Sequence, residues 1–138
     1  LCPQNGSIAW NNITTKVNIS EVSNPPAYFG VAAYAGVSIP SLDVNAVCDY
    51  YTYGLFGYTA VAADDARDRT RLRIDNTNMS YVTDANVKKD ILIHEFGHVL
   101  SLQHNNNSGN SIMKTAVTST FGAPQATDIS HIKEKWGN

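Results

Sequence analysis

His94-Glu95-Phe96-Gly97-His98-Val99-Leu100-Ser101-Leu102-Gln103-His104 places three histidines around one glutamate. On a helix, His94 and His98 lie four residues apart and stack on one face, so two imidazoles on adjacent turns can grip one metal ion. Glu95 falls about 100° further around the helix, beside that ion rather than on it. A general base must stand there to take a proton from an activated water. His104 is too far along to share the same helical face. For it to serve as a third ligand, the helix must end and the chain must turn back. Three protein ligands leave a fourth tetrahedral position open, as in a catalytic zinc site rather than a structural one.

Working outward, helical spacing runs through Val87, Ile91, Leu92, His94, Val99 and Leu102, with Thr83 or Asp84 as the cap and an end near Ser101. Residues 105–110 are polar and carry Gly109, which reads as a loop. Residues 126–136 close the chain as a helix, with Ile129, Ile132 and Trp136 as its apolar stripe. Upstream, 70–75 (TRLRID) alternates, with Leu72 and Ile74 inward, and reads as a strand. Residues 57–62 (GYTAVA) read as another. Residues 15–22 (TKVNISEV) alternate in the same way and also read as a strand, ended by Asn24-Pro25-Pro26. Residues 28–37 are apolar throughout and fit a buried strand better than a short helix, because of two glycines and the aromatic content. Residues 38–56 read as loop, with a helical turn over 41–51. The aromatics Tyr50, Tyr51, Tyr53, Phe56 and Tyr58 read as packing and loop cover rather than a stacking platform, since no basic groove is visible beside them.

The motif resembles the metzincin zinc metallopeptidases, in which His-Glu-x-x-His extends to a third histidine and a methionine turn follows. The likeness is to small matrixin-like or snapalysin-like members and rests on residues 84–137. It implies His94, His98 and His104 as zinc ligands and Glu95 as general base. Ser111-Ile112-Met113 is similar to the methionine turn, with Met113 as an apolar floor under the ligands. Thr127-Asp128-Ile129 and Trp136-Gly137 are similar to the last helix of the matrixin branch. Ile8-Ala9-Trp10 resembles the end of the family's first helix, where a tryptophan anchors helix to sheet. The family's fold would make the chain α+β: a small twisted mixed sheet, an active-site helix, the methionine turn and a C-terminal helix, with the cleft between an upper and a lower half. Gly57, Tyr58, Thr59, Ala60 and Val61 would be the sheet edge that pairs with an extended polypeptide substrate. Residues 114–124 would wall the pocket for the residue after the scissile bond.

Three departures from the family stand out. Its glycine after the helix is Ser101, which in a left-handed conformation costs on the order of 1 kcal/mol. Thr115 stands where some branches carry a tyrosine ligand. Only His131 remains for a second, structural zinc, and it reads as a solvent-facing helix residue. One catalytic zinc is therefore the expected cofactor. Calcium at Asp64, Asp65 and Asp68 is conceivable, but no further feature of the sequence supports it.

The chain has 138 residues, 43% of them hydrophobic, and a net charge of −2. These values fit one globular domain spanning 1–138 and give no reason to expect a nucleic-acid or membrane partner. A monomer is expected. Nothing at Leu1 resembles a signal peptide, which fits a mature form. Two cysteines, Cys2 and Cys48, in a Ser/Thr/Asn-rich and lysine-poor chain suggest a secreted protein with one disulfide, two buried thiols being the alternative. The function expected is a secreted zinc metalloendopeptidase. The rivals are a catalytically weak zinc-containing module that recognises peptide or protein, and a hydrolase of small amides or esters.

Overall fold

A computed structural model describes residues 4–24, 26–39 and 43–138. In chain order the elements are α1 (Gln4–Ser7), a 3₁₀ turn (Ile8–Trp10), β1 (Gly30–Val37), β2 (Ala46–Gly54), β3 (Gly57–Val61), β4 (Arg69–Asp75), α2 (Asn76–Tyr81), α3 (Ala85–Val99) and α4 (Ala126–Trp136). The architecture is α+β with a small mixed sheet. The chain forms two compact units, Val22–Tyr81 on one hand and Leu1–Glu21 with Val82–Asn138 on the other.

The first unit is the sheet, ordered β1-β4-β2-β3. β1 runs parallel to β4, whereas β2 is antiparallel to both β4 and β3. Alternation along β4 sends Thr70, Leu72 and Ile74 to a buried face, as the sequence predicts for the two apolar residues. Arg69, Arg71 and Arg73 take the opposite face. Asp49 of β2 pairs there with both Arg71 and Arg73 at 3.0 and 2.9 Å. Arg69 donates to the Tyr58 hydroxyl and to the Ala27 carbonyl. The tyrosines pack on one another, Tyr28 stacked on Tyr53 at 4.1 Å and Tyr58 edge-on to Tyr53 at 5.2 Å. They do pack on one another, but Tyr53, Phe56 and Tyr58 stay exposed, and the arginines beside them overturn the expectation that no basic groove accompanies the cluster.

Several expectations are corrected. Residues 46–54 are not loop but the strand β2. The central Asp49 disguised it, because a carboxylate in mid-strand reads as loop until its arginine partners are seen one strand away. Residues 15–22 form no strand. There the side-chain amide of Asn11 donates to the Ile19 carbonyl and accepts from the Ile19 N–H, doing locally what a ladder would have done. Val17 is nonetheless buried, which accounts for part of the alternation. β1 is an edge strand rather than a buried one, with Val31 and Tyr34 exposed. The helix α2 was not anticipated. Asp75 caps it by accepting from the Asn78 N–H at 2.8 Å, and its other oxygen accepts from the Ile39 N–H. The backbone donors of Asn78 and then Ile39 hold the Asp75 carboxyl below its ordinary pKa. β3 lies at the outer edge of the sheet and pairs only with β2, in agreement with the edge read from the sequence. Asp65 and Asp68 accept hydrogen bonds from Ala62, Thr52 and Tyr53, so these carboxylates serve the turn.

In the second unit, α3 begins where Asp84 accepts from the N–H groups of Asn86 and Val87. Trp10 is fully buried and donates its indole N–H to the Ile93 carbonyl of α3 at 2.8 Å. The tryptophan thus anchors the N-terminal segment to α3. α4 spans the residues expected. Of its predicted stripe only Ile132 is fully buried. Trp136 is 44% exposed and reaches over to donate to the Leu100 carbonyl. The proposed disulfide involves Cys2, which lies outside the described residues; Cys48 is half-buried in β2. No helix among the described residues is long and apolar enough to cross a membrane.

Candidate metal centre

α3 carries His94 and His98 one turn apart, and what happens at its end decides where His104 goes. Ser101 adopts φ +67°, the left-handed conformation the family glycine would take. The Ser101 N–H bonds the His98 carbonyl and the Leu102 N–H bonds the Gly97 carbonyl, both at 2.9 Å. This is the Schellman arrangement, in which a left-handed residue closes the helix and reverses the chain. The serine therefore does not prevent the turn. Beyond it, the Asn105 N–H donates to the Met113 carbonyl at 2.7 Å. Asn106 and Thr115 exchange two further hydrogen bonds. These contacts carry His104 back to the helix.

His94, His98 and His104 each offer one ring nitrogen, and these three atoms lie within 4.8 Å of one another. They are close enough to hold a metal ion, and among the described residues no other group of this kind occurs. Two of the other ring nitrogens are tied down. His94 Nδ1 lies 2.9 Å from the Ile112 carbonyl and His98 Nδ1 lies 2.7 Å from the Leu102 carbonyl. A carbonyl can only accept, so each Nδ1 carries the proton and each Nε2 presents its lone pair. His98 Nε2 and His104 Nε2 are 3.2 Å apart. Two nitrogens about 2.05 Å from one tetrahedral ion would be separated by about 3.3 Å, so this pair is close enough to share one ion.

Burial reinforces the neutral form. It drives the His94 pKa down to about 3, with the neighbouring charge of His98 acting in the same direction. Burial likewise lowers His98, against the hydrogen bond to Leu102. Neutral imidazole is the ligand form, so the fold presets it. His94 is buried, His98 half-buried and His104 exposed, which leaves the His104 side open to solvent. Glu95 follows His94 on the helix and is 7% exposed.

The floor beneath the ligands depends on Gly97. A Cβ built there would stand 2.3 Å from Met113 Sδ and 3.0 Å from Trp10 Cζ2. Only glycine lets the methionine and the tryptophan pack directly against the helix between the two histidines. Met113 is 1% exposed. Asp128 of α4, completely buried, holds the turn in which Met113 sits. It accepts from Ser111 Oγ at 2.6 Å and from the Ile112 N–H at 3.0 Å. Ile112 in turn accepts from His94, so one carboxylate reaches a ligand through a single residue. Sequence reasoning quoted Asp128 but assigned it nothing. A second buried carboxylate, Asp90, was also missed. It sits one turn before His94, where a carboxylate at the head of the apolar run Ile91-Leu92-Ile93 was the available signal.

A cavity of about 330 Å³ opens beside this turn. Ile112, Lys114, Val117, Ser119 and Phe121 line it, placing much of the 114–124 segment at its wall. No protein-family model, curated protein or solved structure matches this chain.

Proposed function

We propose that the chain is a secreted zinc-dependent metalloendopeptidase of metzincin type, built as a single catalytic domain. The observation that carries this reading is the convergence of His94, His98 and His104, two of them oriented through Nδ1 by backbone carbonyls, on the helix that also bears Glu95. Three imidazole nitrogens favour zinc over the harder ions that prefer oxygen ligands. When bound, zinc would polarise a carbonyl and make a water acidic near neutral pH. Glu95 would take the water proton and pass it to the leaving amine. Met113 and Gly97 would keep the ligand rings from yielding. The 330 Å³ cavity would receive the side chain after the scissile bond. The open edge of β3, Gly57–Val61, supports an extended polypeptide as the substrate, since strand addition needs a strand paired on one side only. Secretion and a monomeric state remain parts of this proposal and rest on composition.

The experiment combines metal analysis with proteolysis. The purified protein should contain one equivalent of zinc and cleave an unfolded protein, and a chelator should stop cleavage. Glu95→Gln should keep the metal and lose about 10²–10⁴-fold in rate. Bound zinc without cleavage of any protein or peptide library would replace this reading with a recognition module. Cleavage of small amides alone would point to a small-molecule hydrolase.

A further inference from the structure

We propose that Asp90 is a positioning residue that sets the shape of the cavity beside the metal centre, and through it the choice of substrate side chain. The inference rests on the peptidase reading of that cavity. Asp90 is fully buried, and its two oxygens are spent on one segment. Oδ2 accepts from Ser119 Oγ at 2.8 Å and from the Phe121 N–H at 2.7 Å, while Oδ1 accepts from the Gly122 N–H at 2.8 Å. Ser119 and Phe121 line the cavity.

Residues 114–125 form neither helix nor strand, so no ladder dictates their path. Two backbone donors and a hydroxyl converge instead on one carboxylate, and bonds to an ionised acceptor are roughly twice as strong as neutral ones. Asp90 lies on α3 four residues before His94 and so on the same face. The wall is thereby registered to the ligands through a rigid helix rather than through its own flexible chain. Across the cavity, Ser111 and Ile112 are held by the other buried carboxylate, Asp128. The cavity thus sits between two clamps, one anchored on each helix.

Asparagine cannot reproduce the Asp90 pattern. It is isosteric, but one of its two positions becomes an NH₂ that faces an N–H or a hydroxyl proton. Asp90→Asn should therefore release either the Gly122 or the Phe121 amide, since the Ser119 hydroxyl can turn to accept from the NH₂ but a backbone N–H cannot. In the zinc-loaded full chain, hydrogen exchange at the Phe121 or the Gly122 amide should accelerate about tenfold or more. In a peptide series varied only after the scissile bond, the ratio of kcat/KM between the best and the smallest side chain should fall about fivefold or more. The change should appear in KM for the large side chains, with zinc content and kcat on the smallest nearly unchanged. Unchanged exchange at both amides would overturn the clamp, and faster exchange with unaltered selectivity would overturn its role in specificity. Ser119→Ala removes one bond and leaves the carboxylate in place. It should loosen the same two amides less, and it serves as the test if Asp90→Asn does not fold. Absence of peptide cleavage by the wild type would defeat the peptidase reading and the specificity role with it, while the exchange measurement would still decide the clamp.

Discussion

Replacing Gly97 by alanine should be an expensive single methyl. The added Cβ would stand 2.3 Å from Met113 Sδ, 3.0 Å from Met113 Cε and 3.0 Å from Trp10 Cζ2. Ordinary contact between such atoms is about 3.5–4.0 Å, so the closest overlap exceeds 1 Å by that measure. Met113 and Trp10 are 1% and 0% exposed and cannot swing out without opening the floor of the site. Overpacking of this kind costs about 1–3 kcal/mol. Alanine recovers up to about 1 kcal/mol of helix propensity in the last turn of α3. The net expectation is a loss of about 1–2 kcal/mol, or roughly 3–6 °C in Tm for a chain of this size. Chemical unfolding of the chelated protein would measure it. A double-mutant cycle with Met113→Ala would isolate its origin: without the methionine thioether, Gly97→Ala should cost at least about 1 kcal/mol less. Because Gly97 lies between His94 and His98, zinc affinity should also weaken, by about tenfold. The reasoning fails if Gly97→Ala is as stable as the wild type, or if its cost is the same with and without Met113.

Ser101→Gly should stabilise the protein by about 1 kcal/mol or slightly less, since it removes the left-handed strain at φ +67° while leaving the Schellman bonds in place. Urea unfolding reads this directly, and a destabilised variant would mean the serine side chain contributes more than the strain it bears. The chelated protein should weaken as pH falls below about 6.5. His94 stays neutral in the fold down to about 3 whereas the unfolded chain takes up the proton near 6.5, so the unfolded state binds more protons across that interval. The loss should approach 1.4 kcal/mol per pH unit from this residue, and His94→Gln should flatten the thermal-midpoint profile between pH 6.5 and 5. A profile unchanged by that substitution would mean His94 is protonated in the folded protein.

The parts of this protein legible in its sequence are those governed by neighbours a few residues apart. His94 and His98 share a helical face because of the 3.6-residue period. Asp84 caps α3 through donors two and three residues on. Leu72 and Ile74 fall inward by the strand's alternation. α4 matches the residues expected because its cap and apolar spacing are equally local. Even the reversal after Ser101 could be anticipated, as a left-handed residue must follow a helix whose next ligand lies behind it.

What the tertiary structure decided depends on partners far along the chain. Asp49 makes strand β2 tolerable only because Arg71 and Arg73 stand opposite it, more than twenty residues later. Residues 15–22 alternate like a strand yet are denied a ladder, because Asn11 satisfies Ile19 first. The two buried carboxylates that hold the surroundings of the metal centre acquire their roles only when residues 111–112 and 119–122 fold onto them. A pattern can announce which side chains seek burial or a ligand. Which distant donor reaches which acceptor is chosen by the whole chain closing at once, because a buried charge is tolerated only where hydrogen bonds replace the water it has lost.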